Sequence, residues 1–402
     1  MAGVILILAA AAYKKLQTPP SAASAPATAA AAARDSAGAR ETASRQGPSI
    51  EPLGSPPPPP PPAPEESAPA AADPRDSLAA LMAPDGRTPL TASQAQQWKQ
   101  ALADLVRAGP AAVPVIRGYL TNNQDVVYGG GVMNPLGYPT LRAGLIDALA
   151  QIGQLGGTNA LEVLTQTLQT TPYPTDLMAL AKALDPLGTQ YEEQILGAAR
   201  QQLQVAAQGQ LGDLDVGPLF QILGNEAANG ADISADLQQA APRWPYYTAI
   251  TLANLPDGAG MDELIQMAEA TGTSSQNPAA DVLAEMAGTN PMAQSTLLQM
   301  VKDHQLEDWM VARLTPFLGG AQYQVGAEQP PGSTGFQSFH ISSGNQDFSF
   351  SNPQNIPVDQ INQRINFIDQ LMQALPAGGQ AQQALQQERS ALAARLPPLP
   401  GK

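Results

Sequence analysis

LADLVRAGPAAVPVIRGYL, running from Leu102 to Leu120, sets the pattern on which most of the chain is built. Trp98, Leu102, Leu105 and Val106 fall at i, i+4, i+7 and i+8, the spacing of one buried helix face. Gly109 is expected to stop that helix and Pro110 to start the next, with Val113, Ile116 and Leu120 on its inner face. The opening Leu-Ala pair then returns four times. It heads LAQIGQLGGTNALEVLTQTL at Leu149, LAKALDPLGTQYEEQILGAA at Leu180, LANLPDGAGMDELIQMAEAT at Leu252 and LAEMAGTNPMAQSTLLQMVK at Leu283. Each phrase is a helix end, a Gly- or Pro-containing break and a second apolar-periodic helix. Self-similarity of this kind predicts an all-α chain of stacked helix pairs, a solenoid.

The other stripes keep the pattern. Leu141, Leu145, Leu149 and Ile152 are answered by Leu161, Leu164 and Leu168; Leu177, Leu180 and Leu184 by Tyr191, Ile195 and Ala198. The interval from Leu180 to Leu252 has room for two units and holds a weak member around Leu219–Leu223. Met261, Leu264, Ile265 and Ala268 continue the inner face, and Leu306, Met310, Leu314 and Phe317 read as a closing helix. Trp309 and the methionines of these stripes are expected in the core. Thr91 or Ser93 is placed to cap the helix before Leu102.

The interval from Leu102 to Leu149 is stretched by NNQDVVYGGGVMNPLGYP, residues Asn122 to Pro139. Insertions between repeats gather on one face, often the binding face. Tyr128, Gly129, Gly130, Gly131, Met133 and Tyr138 are therefore candidate partner-binding residues; the alternative is a surface loop without a role.

LVRAGPAAVPVIRGYL, Leu105 to Leu120, resembles the helix–Gly-Pro–helix turn of bacterial HEAT-repeat proteins. Arg117 stands where such repeats often carry a basic residue on the second helix. The resemblance covers about residues 91–318 and implies a right-handed α–α superhelix that binds other proteins. The other units lack the recurring Arg and Asp that form a ladder in that family, and their shortest interval falls below its unit of about 40 residues. A single ankyrin-like DGRTPL at Asp85–Leu90 does not recur and is read as coincidence.

Composition divides the chain. Residues 1–15 are expected to be a signal peptide or a truncated membrane anchor. Val4 to Ala12 is apolar and followed by Lys14 and Lys15, too short for a span of about 20 residues. Residues 16–76 read as a disordered Ala/Pro-rich linker with a polyproline strut at Pro56–Pro62. The solenoid is assigned to 77–318. Charge bias at Lys14-Lys15 favours a cytoplasmic remainder, whereas a short anchor followed by an Ala/Pro spacer resembles bacterial envelope proteins. The expectation is membrane association through the N-terminal segment, on the periplasmic side of the cell envelope.

Net charge is −15, from 20 Lys/Arg against 35 Asp/Glu, which argues against a nucleic-acid partner. The absence of Cys removes disulfides and thiolate chemistry.

Residues 319–356 change character. Phe339 and Ile341 lie before Gly344-Asn345, with Phe348 and Phe350 after it. A two-residue turn there would pair Ile341 with Phe348 and Phe339 with Phe350, putting Phe339, Phe348 and Phe350 on one face for the solenoid or a partner. Residues 357–402 read as an αα-hairpin, with Ile361, Ile365, Ile368, Leu371 and Leu375 answered by Leu385, Leu392 and Leu396. It would cap the solenoid or mediate self-association.

No cofactor, metal or catalytic motif emerges. His304 and His340 lie in different elements, and Gly258-Ala-Gly260 lacks the strand and third glycine of a dinucleotide loop. Glu192-Glu193, Asp213/Asp215, Asp262-Glu263 and Glu307-Asp308 mostly suit first turns of helices, where acids complement the dipole. The function expected is a non-catalytic scaffold for an unidentified protein partner. The alternatives are a carboxylate-based envelope enzyme acting on glycans, a lyase or hydrolase, and a self-assembling structural protein.

Overall fold

The computed structural model describes residues 73–84, 90–122, 124–128, 136–271, 277–325, 333–341, 346–353 and 355–397; for 271, 324–325, 333–341 and 346–353 it describes the backbone only. The anchor and linker segments, up to residue 72, lie outside the described residues. Among the described residues no helix is long and apolar enough to cross a membrane.

The described chain is predominantly helical. Sixteen α-helices are present among the described residues, and they alternate between two rows. Row A holds α2 (Ala92–Ala108), α4 (Leu141–Gln154), α6 (Pro174–Leu184), α8 (Gly217–Ala228), α10 (Pro245–Ala253), α12 (Pro278–Met286), α14 (Asp308–Leu318) and α16 (Gln380–Ala394). Row B holds α1 (Pro74–Met82), α3 (Val113–Thr121), α5 (Thr158–Thr170), α7 (Glu192–Ala207), α9 (Ser234–Ala240), α11 (Met261–Thr271), α13 (Pro291–Lys302) and α15 (Val358–Ala374). Each row A helix packs on the next row A helix along the whole series, from α2 on α4 to α14 on α16. All five Leu-Ala pairs fall in row A. Leu102, Leu149, Leu180, Leu252 and Leu283 are each buried, and each such side chain contributes roughly 1.5–3 kcal/mol.

The weak unit is α8. Its Leu219, Phe220, Ile222 and Leu223 are buried, and Phe220 meets Trp244 edge-on at 6.1 Å. Aromatic packing replaces the Leu-Ala pair there. Thr91 caps α2 in a reciprocal capping box with Gln94. Gly109, at φ 59, ends α2 as expected, but Pro110 lies in a short 3-10 turn and α3 begins at Val113.

Other details differ from expectation. The folded part begins at Pro74, capped by Asp73, so it takes in the last residues assigned to the linker. Trp309 is 37% exposed on the first turn of α14, where its indole N–H donates to Glu307 at 2.6 Å. Its neighbour Met310 takes the buried position instead.

Between α14 and α15 the chain forms an antiparallel sheet of β1 (Gln322–Val325), β2 (Ser333–Ile341) and β3 (Gln346–Pro353), in the order β1-β3-β2. The hairpin exists in another register. Phe339 pairs with Phe348, Ile341 with Gln346 and Gln337 with Phe350, leaving residues 342–345 between the paired ends. A slip of two residues keeps every side chain on its own face, so the alternation that predicts a hairpin cannot choose between these registers. The expected pairing of Ile341 with Phe348 is corrected accordingly. β1, which pairs Tyr323 with Phe350, was not expected.

The C-terminal helices continue the rows, α15 on α13 and α16 on α14. Ile361, Phe367, Ile368, Leu371, Leu385 and Leu392 are buried there, while Ile365 and Leu375 pack at the margin.

Candidate functional site

The candidate residues of the Gly-rich loop divide. Gly129, Gly130, Gly131 and Met133 lie outside the described residues. Tyr128 and Tyr138 are half-buried and flank Trp98, with ring centroids 5.6 and 5.7 Å away. The Tyr128 hydroxyl accepts from the Trp98 indole at 2.9 Å and donates to the Leu81 carbonyl at 3.0 Å. Tyr138 donates to Asp147. The loop is thus stapled to α1, α2 and α4 by its aromatics. The backbone of Phe339, Phe348 and Phe350 is placed in the sheet, but their side chains lie outside the described residues.

A second feature fastens the same loop. Arg142, wholly buried at the start of α4, donates through Nε to Asp176 of α6 at 2.7 Å and through Nη1 to the Leu120 carbonyl at 2.8 Å. Thr171 donates to the same Asp176 oxygen at 2.7 Å, and Arg142 lies 5.0 Å from the Tyr173 ring centroid. Asp125 accepts from the backbone N–H of Val126 and of Arg142, at 2.8 and 3.1 Å. Burial pushes both carboxyls up despite these donors.

Arg142–Asp176 belongs to a series. Arg200 of α7 meets Asp236 of α9 at 2.8 Å, Arg313 of α14 meets Asp281 of α12 at 2.8 Å, and Arg117 of α3 donates to Gln166 of α5 at 3.0 Å. Every link joins a helix to the next one in its own row. No ladder beyond Arg117 is legible in the sequence, because the links sit at unequal offsets and one of the four, Arg313 to Asp281, runs backward along the chain. Their signal was a separation of 32 to 36 residues in three of the four, close to one repeat unit.

The densest group of titratable side chains lies where β1 joins the rows. Asp281 and Glu285 are one turn apart on α12. Asp281 accepts from Arg313 at 2.8 Å and from the Tyr323 hydroxyl at 3.1 Å. Glu285 accepts the Tyr323 backbone N–H at 3.0 Å. Arg364 of α15 donates to the carbonyls of Phe317 and Leu318 at 3.0 Å each and of Glu285 at 3.1 Å. Burial raises Asp281 to about 6 and Glu285 to about 7, against the opposing pull of Arg313 and of the Tyr323 amide. Displaced carboxyls of this sort mark functional sites. Here, however, their partners all come from this chain, and Tyr323 lies across both.

Glu226 of α8 is likewise pushed up to about 7 by burial, with Asp185 and Glu192 adding repulsion. Among the described residues no group of three or more His, Asp or Glu is placed to hold a metal ion. Of the acidic pairs in the sequence, Glu192-Glu193 and Asp262-Glu263 occupy first turns as expected. Asp215 departs from that pattern: it lies before α8 and accepts from the Tyr247 hydroxyl at 2.6 Å. Asp308 serves a second helix, accepting the backbone N–H of Gln380 and Ala381 at the start of α16.

An open groove lies on row B. Arg117 of α3, Leu161, Glu162, Thr165, Gln166 and Gln169 of α5, and Tyr191 before α7 line a space of about 680 Å³. Its lining mixes a cation, a carboxylate, two amides, a hydroxyl, a phenol and one aliphatic side chain at the seam of successive units. From sequence Arg117 stands out as a basic residue, and Leu161 and Tyr191 only as members of apolar stripes.

Comparison of the chain with protein-family models, with curated proteins and with solved structures found no match.

Proposed function

We propose that this chain is a non-catalytic helical-repeat scaffold, a HEAT-like right-handed α–α superhelix that binds a protein partner along row B. In this reading it is tethered to the membrane or exported through its N-terminal segment, on the periplasmic side of the envelope. The observation that carries it is the groove at Arg117, Glu162, Gln166, Gln169 and Tyr191. Side-chain amides with one cation and one carboxylate suit the alternating donors and acceptors of an extended polypeptide backbone, and Leu161 and Tyr191 offer contact to its apolar side chains. The acidic surface disfavours nucleic acid.

A photo-crosslinking residue placed at Gln169 in native cells tests this, with Gln386 on α16 as control. The expected result is one discrete protein adduct at Gln169, absent at Gln386 and lost when Arg117→Glu is added. Identical adducts at both positions, or none, would contradict the reading.

Asp281 and Glu285, held near neutrality beside Tyr246 and Tyr323, favour a second reading, a glycan-active lyase or hydrolase. Cleavage of envelope glycan that disappears in Glu285→Gln would establish it. Self-association through α15 and α16 is a third possibility, and sedimentation of the chain with and without residues 357–402 separates it from a monomeric scaffold.

A further inference from the structure

Three acids are buried among the described residues, and two of them have partners. Asp176 accepts from Arg142 and Thr171, and Asp281 from Arg313 and Tyr323. Glu226, near the end of α8 and 4% exposed, has none: among the described residues no hydrogen-bond donor meets its carboxylate. What faces it is more negative charge, Asp185 after α6 and Glu192 at the start of α7, two helices that both pack on α8. Neither of these acids meets a donor among the described residues either. A carboxylate drawn out of water without a counter-charge is costly, and neighbouring acids make it more so. Its oxygens are not sealed, however, so an incoming cation can reach them.

We propose, resting on the scaffold reading, that this is the slot for an arginine side chain of the protein partner, held between Glu226, Asp185 and Glu192. Glu192 directly follows Tyr191, so the slot lies at the α7 end of the row B groove. A divalent ion needs oxygens that converge at about 2.0–2.6 Å, and no three acids are so placed among the described residues. Acids that share a site without converging on one point suit a planar cation instead. A guanidinium spreads its N–H donors over a rigid fork and is more weakly hydrated than an ammonium, so it gives up less on leaving water. The groove's own cation, Arg117, is engaged with Gln166 at 3.0 Å. The net charge of −15 draws a basic segment towards the surface before it docks.

Fluorescence anisotropy of the full chain at pH 8 tests this, with a labelled peptide alternating Arg and Ala and its neutral citrulline counterpart as probes. The Arg peptide is expected to bind about tenfold or more tightly than the citrulline peptide, and Glu226→Gln should remove most of that difference. Glu269→Gln on α11, which removes an exposed acid of the same row, should change affinity by no more than about twofold. Glu226→Gln should also raise the urea midpoint, because it deletes a buried charge without a partner, so lost binding is separated from lost folding. An Arg peptide that does not bind, a citrulline peptide that binds equally well, or equal losses in the two variants would overturn the proposal. The crosslink at Gln169 keeps the scaffold reading separate. An adduct of undiminished yield in Glu226→Gln would remove the slot and leave the scaffold, whereas no adduct beside Glu226-dependent Arg-peptide binding would remove the scaffold and leave the slot.

Discussion

Arg142 and Asp176 form an ion pair that joins α4 to α6. Both side chains are fully buried, and their other partners come from the last turn of α3, Leu120, and from the link between α5 and α6, Thr171 and Tyr173. Removing one charge strands the other in a low dielectric, which costs about 3–5 kcal/mol, whereas replacing both by apolar groups of similar volume is often neutral. Arg142→Ala should therefore lower the urea midpoint sharply, and Arg142→Met with Asp176→Leu should restore most of it. In the sequence this pair leaves only its 34-residue separation, close to one repeat unit. The residues of the apolar stripes were legible, because burial repeats with the helical period, and Leu102, Leu149, Leu180, Leu252 and Leu283 are all buried. A buried ion pair has no period, and its two members stand in different units. Trp309 was misread because its size suggested burial, although the stripe of Leu306, Met310, Leu314 and Phe317 passes through its neighbour and leaves it beside the buried face.

At the scale of elements, two glycines separate close packing from mere presence. A Cβ on Gly288 would fall inside the guanidinium of Arg364, which would have to leave the carbonyls of Glu285, Phe317 and Leu318. Gly288→Ala should destabilise by about 1–3 kcal/mol, the penalty for buried acceptors left unmade, and should speed proteolysis between α14 and α15. Gly118, in α3 with nothing within 4 Å, gives the opposite expectation: Gly118→Ala should raise stability by about 0.5–1 kcal/mol in the same denaturation assay. Elements with a strong local signal were legible, the capping box at Thr91 and the αα-hairpin after Pro357 among them. Only the first turn of α1 was assigned to the linker, because Pro74 continues the Pro-containing composition before it. β1 was missed because four residues, QYQV, are too few for a periodic signal, and its role rests on contacts with α12 made 38 and 42 residues away.

At the scale of the whole described unit, one regularity recurs: each row A helix packs on the next helix of its row, as in row B do α1 on α3, α3 on α5, α5 on α7 and α13 on α15. An array built this way lengthens by one helix spacing per unit, about 8–10 Å between axes. Its seams are where a groove such as that at Arg117 and Gln166 arises. Because the chain has no Cys, every introduced Cys is a unique labelling site. Spin labels at Arg117 paired in turn with Gln166, Gln204, Gln238, Glu269 and Gln299 therefore sample successive helices of row B, from α3 to α13. Pulsed electron paramagnetic resonance should give distances that grow with each pair by about one helix spacing. Distances that stop rising or turn back after the second or third pair would contradict the solenoid, and with it the scaffold reading that depends on it.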